Sequence, residues 1–415
     1  MAILFKENKM FRVLMGYQFF SSIGGAMFNM FILLSVHLIY QNPMYTGIAG
    51  FLMAAPRVLS FMVGPVVDRR NKVAIMRMTT FLELLVLSLL AFTPLQEQLG
   101  VLFMFAVILG YGVAALFEIP ASTAFLPQIV PEDKIMTANS LINIVSMVGG
   151  VTIGAVLLVH LGGDINFRFL YGFSAVFLAF TFVASLFLRN PESPESTAAT
   201  TKVDYVSDLK EGARFIRQHI VLYVILAMVV MSLFGEVAFV NRPMFVEYHA
   251  GAQGYILIIL MILIGGIGAS YFVGLVGDRF KIGRFIFVLL MFAGVVRVAF
   301  ALILPVAFVG GLVTAVFYAA LIISVDIVFS SINQKVPPNN MVGRAGTIAS
   351  TLTAVFTTIG ALAGGFLGSI VPVVDHIFIG QGLSYIVIGL ALLFVPGIRL
   401  LPKMGEIKKV DECGV

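Results

Sequence analysis

Six ionisable residues sit inside apolar stretches of this chain: Arg57, Glu83, Glu118, Glu236, Arg297 and Asp326. A charged side chain near the centre of a bilayer costs about 2.5 to 3.5 kcal/mol on insertion scales, so it faces a cavity or a partner rather than lipid. Acids in that position take up and release protons; cations hold anionic groups or neutralise an acid. At about 1.5 Å of rise per residue, Arg57 stands about 16 Å above the loop that follows it, and Glu83 lies at nearly the same height on the next stretch. The two can therefore pair. A pair that stays closed is structural, whereas one that opens when Glu83 takes a proton is a coupling device. Glu236, in SLFGEVAF, has Ser232 one turn earlier on its own face and Arg242 nearly two turns away. It reads as an unpaired acid that carries a proton or holds a cationic substrate, and is the first choice for coupling, before Glu83, Asp326 and Glu118. Arg297 shows no partner on its own stretch, so an anionic lipid, a substrate and Glu236 all stay open for it.

Other reactive constellations are missing from the sequence. No GxxxxGK[ST] phosphate loop is present, which argues against direct ATP hydrolysis, and the five histidines lack HExxH or any other metal-ligand spacing. GGIGAS from Gly265 lies within an apolar stretch with no preceding strand and fits helix packing better than dinucleotide binding. Cys413 is the only cysteine, so no disulfide forms within the chain. The expectation is a non-enzyme without metal or cofactor.

The elements that position the charges follow from composition. Hydrophobic residues make up 60% of the chain and charged residues 11%, against about 25% charged in an ordinary soluble domain. Twelve apolar runs, near 11–40, 47–67, 74–95, 99–126, 137–161, 167–188, 219–240, 254–277, 284–304, 308–331, 344–371 and 376–398, are long enough to cross a hydrocarbon core of about 30 Å as helices. They are too long and too uniformly apolar for the strands of a membrane barrel. With the N-terminus inside, only Arg57, Arg168, Arg242 and Arg297 of the 26 Lys and Arg residues fall away from the inner side, which places both termini in the cytoplasm. The pI near 9.2 then reflects attraction to anionic lipid rather than nucleic-acid binding. The first run is too long for a signal peptide and is taken as a retained helix.

The chain also repeats itself. GPVVDRRNK begins at Gly64 and GLVGDRFKIGR at Gly274, an offset of 274 − 64 = 210; QIVPED begins at Gln128 and QKVPPN at Gln334, an offset of 206. Gly149, Gly150 and Gly154 in the fifth run correspond to Gly360, Gly364 and Gly365 in the eleventh, a small-residue pattern that reads first as close helix packing. A polar stretch at 189–218 separates the copies, giving a bundle at 1–188, a cytoplasmic linker and a second bundle at 219–415.

Polar stripes mark faces. Gln18, Ser22, Gly25 and Asn29 follow helical spacing in the first run; Asn139, Asn143 and Ser146 do so in the fifth, and Thr347, Thr351 and Thr358 in the eleventh. Ser and Thr in such stripes can also bond carbonyls of their own helix. The 38 Phe and 20 Met suit either lipid contact or a cavity for varied apolar molecules.

Twelve helices in two parallel halves, with Gly64, Asp68 and Arg69 after the second and Gly274, Asp278 and Arg279 after the eighth, resemble the major facilitator superfamily. PASTAFLPQIVPEDKIMTANSL from Pro120 is similar to the drug:proton antiporter branch that includes bacterial macrolide exporters, although VGGVTIG has the glycines of the antiporter signature without its Pro. The resemblance implies an all-α membrane protein of two pseudo-symmetric six-helix bundles. It also implies that the first, fifth, seventh and eleventh helices border a central cavity, so that Gln18, Ser22, Asn29, Asn143, Ser232 and Thr351 become cavity candidates, beside Arg57 and Arg297, which are candidates as cations inside the membrane. The Asp-Arg loops become either cytoplasmic latches or permanent structural ion pairs, with Arg77 and Glu118 joining the first and Asp326 the second. The expected function is a monomeric proton-coupled exporter of amphipathic small molecules in the bacterial inner membrane, with substrate, protons and lipid as partners and no nucleic acid. Arg57 and Arg297 motivate an alternative, a dedicated exporter of a metabolite, metallophore or lipid. A non-transporting sensor or scaffold is disfavoured, because the linker and tail are too short for a soluble domain.

Overall fold

The structure is a computed structural model that describes residues 8–60, 62–63, 67, 70–92, 100–130, 138, 141–142, 145–146, 149, 166–189, 213–214, 216–217, 219–276, 280–337, 342–370, 374–403 and 406. The described residues are helical throughout, with no strand beyond one isolated bridge between Lys281 and Lys403. In chain order the helices are α1 (Lys9–Tyr40), α2 (Pro43–Ala54), α3 (Lys72–Phe92), α4 (Val101–Ile129), α5 (Phe167–Phe187), α6 (Val221–Val276), α7 (Ile282–Ile303), α8 (Phe308–Lys335), α9 (Val342–Ile370), α10 (Asp375–Leu393) and the short α11 (Pro396–Arg399).

Nine of the described helices are long and apolar enough to cross a membrane. The 56 residues of α6 amount to about 84 Å at 1.5 Å each, more than twice a bilayer core of about 30 Å. Gly251, at φ 70°, breaks it, and the two runs expected at 219–240 and 254–277 lie on either side. The ten resulting crossings, with α2 in place of the second run and the fifth run largely outside the described residues, are consistent with twelve. Large apolar side chains stand exposed along them, among them Phe92 at 76%, Leu102 at 74% and Val309 at 71%. That surface suits contact with lipid chains.

Helix starts follow from capping side chains. The Asn8, Asn42 and Asn166 side chains accept from the backbone N–H groups of Phe11, Met44 and Phe169, and Pro43 fills a first-turn position where no N–H is needed.

The chain divides into two compact units, Met1–Ala199 and Thr200–Val415. In the first, α1 and α3 pack on α5, while α4 packs on α3 and α2, around a core that includes Phe11, Tyr17, Met76 and Phe125. In the second, α6 packs on α8 and α9, and α7 on α10 and α8.

Small residues set the closest helix approaches. A Cβ placed on Gly294 would lie 2.5 Å from the Gly382 carbonyl oxygen, and one on Gly382 would lie 2.7 Å from that of Gly294. Gly294→Val is therefore expected to cost about 1–3 kcal/mol by overpacking, read as a lower midpoint in unfolding of the detergent-solubilised protein. The glycine pattern shared by the fifth and eleventh runs is likewise a packing pattern where it is described. A Cβ on Gly149 would collide with the Ser22 hydroxyl, one on Gly360 would meet Leu233 and one on Gly364 would meet Val240. Gly150 and Gly154 lie outside the described residues.

Candidate functional site

The first unit holds a polar cavity of about 220 Å³ lined by Arg57, Glu83 and Glu118 with Asn29, Tyr111 and Ser22. Four helices build it. The helical path of α2 tightens into a 3₁₀ turn over Ala55–Leu59, where Pro56 has no N–H to donate. Gly112 of α4 makes room for this turn, since a Cβ there would lie 3.1 Å from the Pro56 ring and 3.3 Å from the Leu52 carbonyl. Arg57 projects from the turn at the cavity edge and is exposed. Glu83 comes from α3 and is only 3% exposed; Glu118 comes from α4.

The two acids are served unequally. Tyr17 of α1 donates to the Glu118 carboxylate at 2.8 Å, and the Ser21 hydroxyl adds a long contact at 3.4 Å. Because the Tyr17 hydroxyl has one proton and gives it to Glu118, its 2.9 Å bond with Thr80 runs from the Thr80 hydroxyl. Thr80 lies one turn before Glu83 on α3, so this relay links the helices that carry the two acids. Among the described residues Glu83 has no hydrogen bond or ion pair, although it feels the charge of Glu118. Phe28 and Tyr111 stack at 3.9 Å between ring centres on the cavity wall.

Several expected contacts differ. Arg57 and Glu83 line one cavity as their equal depth suggested, but they form no ion pair among the described residues; the 3₁₀ turn leaves Arg57 at the cavity edge while Glu83 is buried. Arg77 does not join Glu118. Its guanidinium donates to the carbonyls of Ser185 at 3.0 Å, Leu186 at 3.2 Å and Leu188 at 2.7 Å, at the C-terminal end of α5, where the Ser185 carbonyl also accepts from the Leu188 N–H and the helix end favours a cation. Arg77→Ala is expected to destabilise the first unit by about 1–3 kcal/mol, measured by thermal unfolding in detergent.

Arg297 turns to neither Glu236 nor an open cavity. It is 2% exposed, donates from Nε to Gln381 at 2.6 Å and lies over the rings of Tyr318 at 4.3 Å, Phe378 at 4.6 Å and Phe300 at 5.2 Å. Gln381 in turn donates to the hydroxyls of Tyr318 and Tyr385. The aromatic faces thus take the place for which an anionic lipid, a substrate and Glu236 had stayed open. Glu236 is half-buried and not without a partner, so it is not the unpaired acid that its sequence surroundings suggested. Its Cβ faces Gly360 of α9, where an added Cβ would come within 3.0 Å. Asp326 is exposed on α8 with no partner among the described residues, whereas Glu118, its counterpart by spacing, is hydrogen-bonded inside the first unit.

Of the polar stripe on α1, Ser22 and Asn29 line the cavity, with Ser22 also donating to the Phe19 carbonyl and Asn29 to that of Gly25. Gln18 instead donates to the Ser122 hydroxyl of α4. Ser232 is satisfied by the Met228 carbonyl of its own helix. The Thr351 hydroxyl is buried without a hydrogen-bond partner among the described residues. Asn143 and the latch residues Gly64, Asp68, Arg69, Asp278 and Arg279 lie outside the described residues, and Gly274 is in the last turn of α6. Tyr17, Ser21, Thr80 and Tyr111 were not singled out from sequence. Tyr17 and Ser21 are four residues apart on α1, a spacing that gives them one face.

The sequence profile of the Major Facilitator Superfamily matches residues 14–361. Solved structures share the fold at low identity. A point-mutant form of the nucleoside transporter NupG is similar at a TM-score of 0.74 and 15% identity, over 94% of this chain and all of that one. A D-xylose-proton symporter gives 0.70 and 14%, over 96% of this chain and 98% of its own. A POT family transporter in complex with a thioalcohol-conjugated peptide gives 0.71 and 13%, over 94% and 96%. No curated protein matches the sequence.

Proposed function

The chain belongs to the Major Facilitator Superfamily, and from that premise we propose that it is a proton-coupled secondary exporter of amphipathic small molecules working by alternating access. One observation carries the reading: two carboxyls, Glu83 and Glu118, meet inside one membrane-embedded cavity with an arginine at its edge. Two acids that interact this closely titrate as a pair, and a shared proton relieves their repulsion. Glu118 keeps the donors that stabilise a carboxylate, from Tyr17 and Ser21. Glu83, without a donor among the described residues, is the position where the proton is loaded and released. Aromatic and apolar side chains on the same wall, Phe28, Tyr111, Met53 and Ile108, suit the apolar part of a substrate.

The two Asp-Arg loops are assigned the latch role that their resemblance implies, and the Lys and Arg distribution supports cytoplasmic termini in a bacterial cell membrane. The D-xylose-proton symporter among the similar structures favours a second reading, uptake with the proton. Direction is tested in proteoliposomes with an imposed pH gradient. An exporter moves an amphipathic fluorescent dye against the proton flow, a symporter moves it with the flow, and movement indifferent to the gradient overturns proton coupling.

A further inference from the structure

We propose that the cavity takes a zwitterion, with the ligand's anionic group on Arg57 and its cationic group on Glu83. This assignment deepens the transport reading above and rests on it. Its basis is an opposed pair of charges that the protein leaves apart. Arg57 and Glu83 line the same cavity, yet among the described residues neither side chain has a hydrogen bond or an ion pair. An arginine and a buried acid inside a membrane protein are each costly without a counter-charge. The turn that carries Arg57 and the α3 helix that carries Glu83 each pack on α4. Here the 3₁₀ turn that contains Pro56 and its close seat on Gly112 fix where Arg57 emerges, while Glu83 of α3 lines the same cavity as the stacked rings of Phe28 and Tyr111.

The rest of the wall agrees with a ligand that carries both signs. One amide N–H of Asn29 donates to the Gly25 carbonyl, which leaves the second N–H as a donor and the side-chain oxygen as an acceptor for a ligand carrying both signs. The Tyr111 hydroxyl has no hydrogen-bond partner among the described residues and lies in the fields of Glu83, Glu118 and Arg57. A ligand ammonium on Glu83 and a carboxylate on Arg57 would supply each unpaired charge with the partner it lacks. A purely cationic ligand would leave Arg57 facing a second cation, and a purely anionic one would meet Glu83 and Glu118. A neutral ligand would satisfy neither charge. The stacked rings and Met53, Ile108 and Ile119 take the apolar body.

The test uses the full-length protein in detergent and matched triplets of probes: phenylalanine with its amide and its N-acetyl derivative, and 4-aminomethylbenzoic acid with its methyl ester and its N-acetyl derivative. The two parent compounds span a short and a long charge separation. Binding is read by thermal stabilisation and by isothermal titration. The expected result is that at least one zwitterion binds about tenfold or more tightly than both of its singly charged relatives, since each lost charge-assisted contact is worth about a factor of ten. Arg57→Gln should erase the preference over the amide or ester, Glu83→Gln the preference over the N-acetyl acid, and Arg57→Lys should keep part of the first. Equal or tighter binding of a singly charged form, or no binding by any of the six probes, overturns the assignment. Equilibrium binding in detergent needs no proton gradient, so a negative result here leaves proton-coupled transport standing. Loss of gradient-driven flux with the binding preference intact fails the coupling alone.

Discussion

Glu83→Gln is expected to remove gradient-driven transport while leaving the protein folded. One unit of pH difference corresponds to about 1.4 kcal/mol per proton, or about a tenfold substrate ratio across the membrane for each proton coupled. Reconstituted wild-type protein should approach such a ratio, whereas the variant should bring substrate to equal concentration on both sides. Glutamine matches the shape of the acid without its titration, and Glu83 has no hydrogen-bond partner among the described residues to lose. Exchange of labelled for unlabelled substrate without a gradient isolates the movement from the drive, and it should persist in Glu83→Gln whenever binding does. The companion Glu118→Gln should differ in kind, because Tyr17 and Ser21 both donate to one oxygen of that carboxyl, so an amide oxygen there keeps the two bonds but loses their charge assistance. It should weaken stability as well as transport. A Glu83→Gln protein that still concentrates substrate in response to pH would exclude Glu83 as the proton site.

The second large effect is expected at Arg297. Arg297→Ala removes a charge-assisted hydrogen bond to buried Gln381, worth about 1.5–3 kcal/mol, and contacts with three aromatic rings worth about 0.5–2 kcal/mol where desolvated. It also leaves a void between α7, α8 and α10. Against this stands relief from the cost of burying a guanidinium, so the net loss is placed at about 3 kcal/mol. Arg297→Met keeps most of the volume and drops the charge, and should lose about half as much. Chemical unfolding in detergent measures both. If Arg297→Met unfolds like the wild type while transport collapses, Arg297 belongs to the substrate path after all.

Arg297 also shows where sequence reading stops. Its apolar surroundings marked it as a costly charge that needs a partner, but apart from the Phe300 ring one turn on the partners come from α8 and α10, 21 and 84 residues away by subtraction from Tyr318 and Gln381. None of them is an acid, so a search for opposite charge passed over them. Arg77 gives a similar lesson: a cation near acids in sequence order was assigned to them, whereas the carbonyl end of α5 offers three acceptors without charge. Glu236 looked solitary because its helix carries no cation beside it; isolation along one helix is not isolation in a bundle. Tyr17 and Thr80 could have been noticed as polar groups on inward faces, but nothing along the chain indicates that they meet.

What the sequence determined by itself was the set of elements and the charges they carry. Apolar length forced membrane helices, the doubled Gly-Asp-Arg loops pointed to the family, and the rise per residue put Arg57 and Glu83 at one depth. The tertiary structure decided which of these charges meet. Depth is fixed by distance along a single helix, whereas pairing depends on the rotation of each helix about its axis and on how closely neighbours approach. Pro56 and Gly112 set that approach around the cavity, holding Arg57 apart from Glu83, while Tyr17 and Ser21 distinguish Glu118 from Glu83.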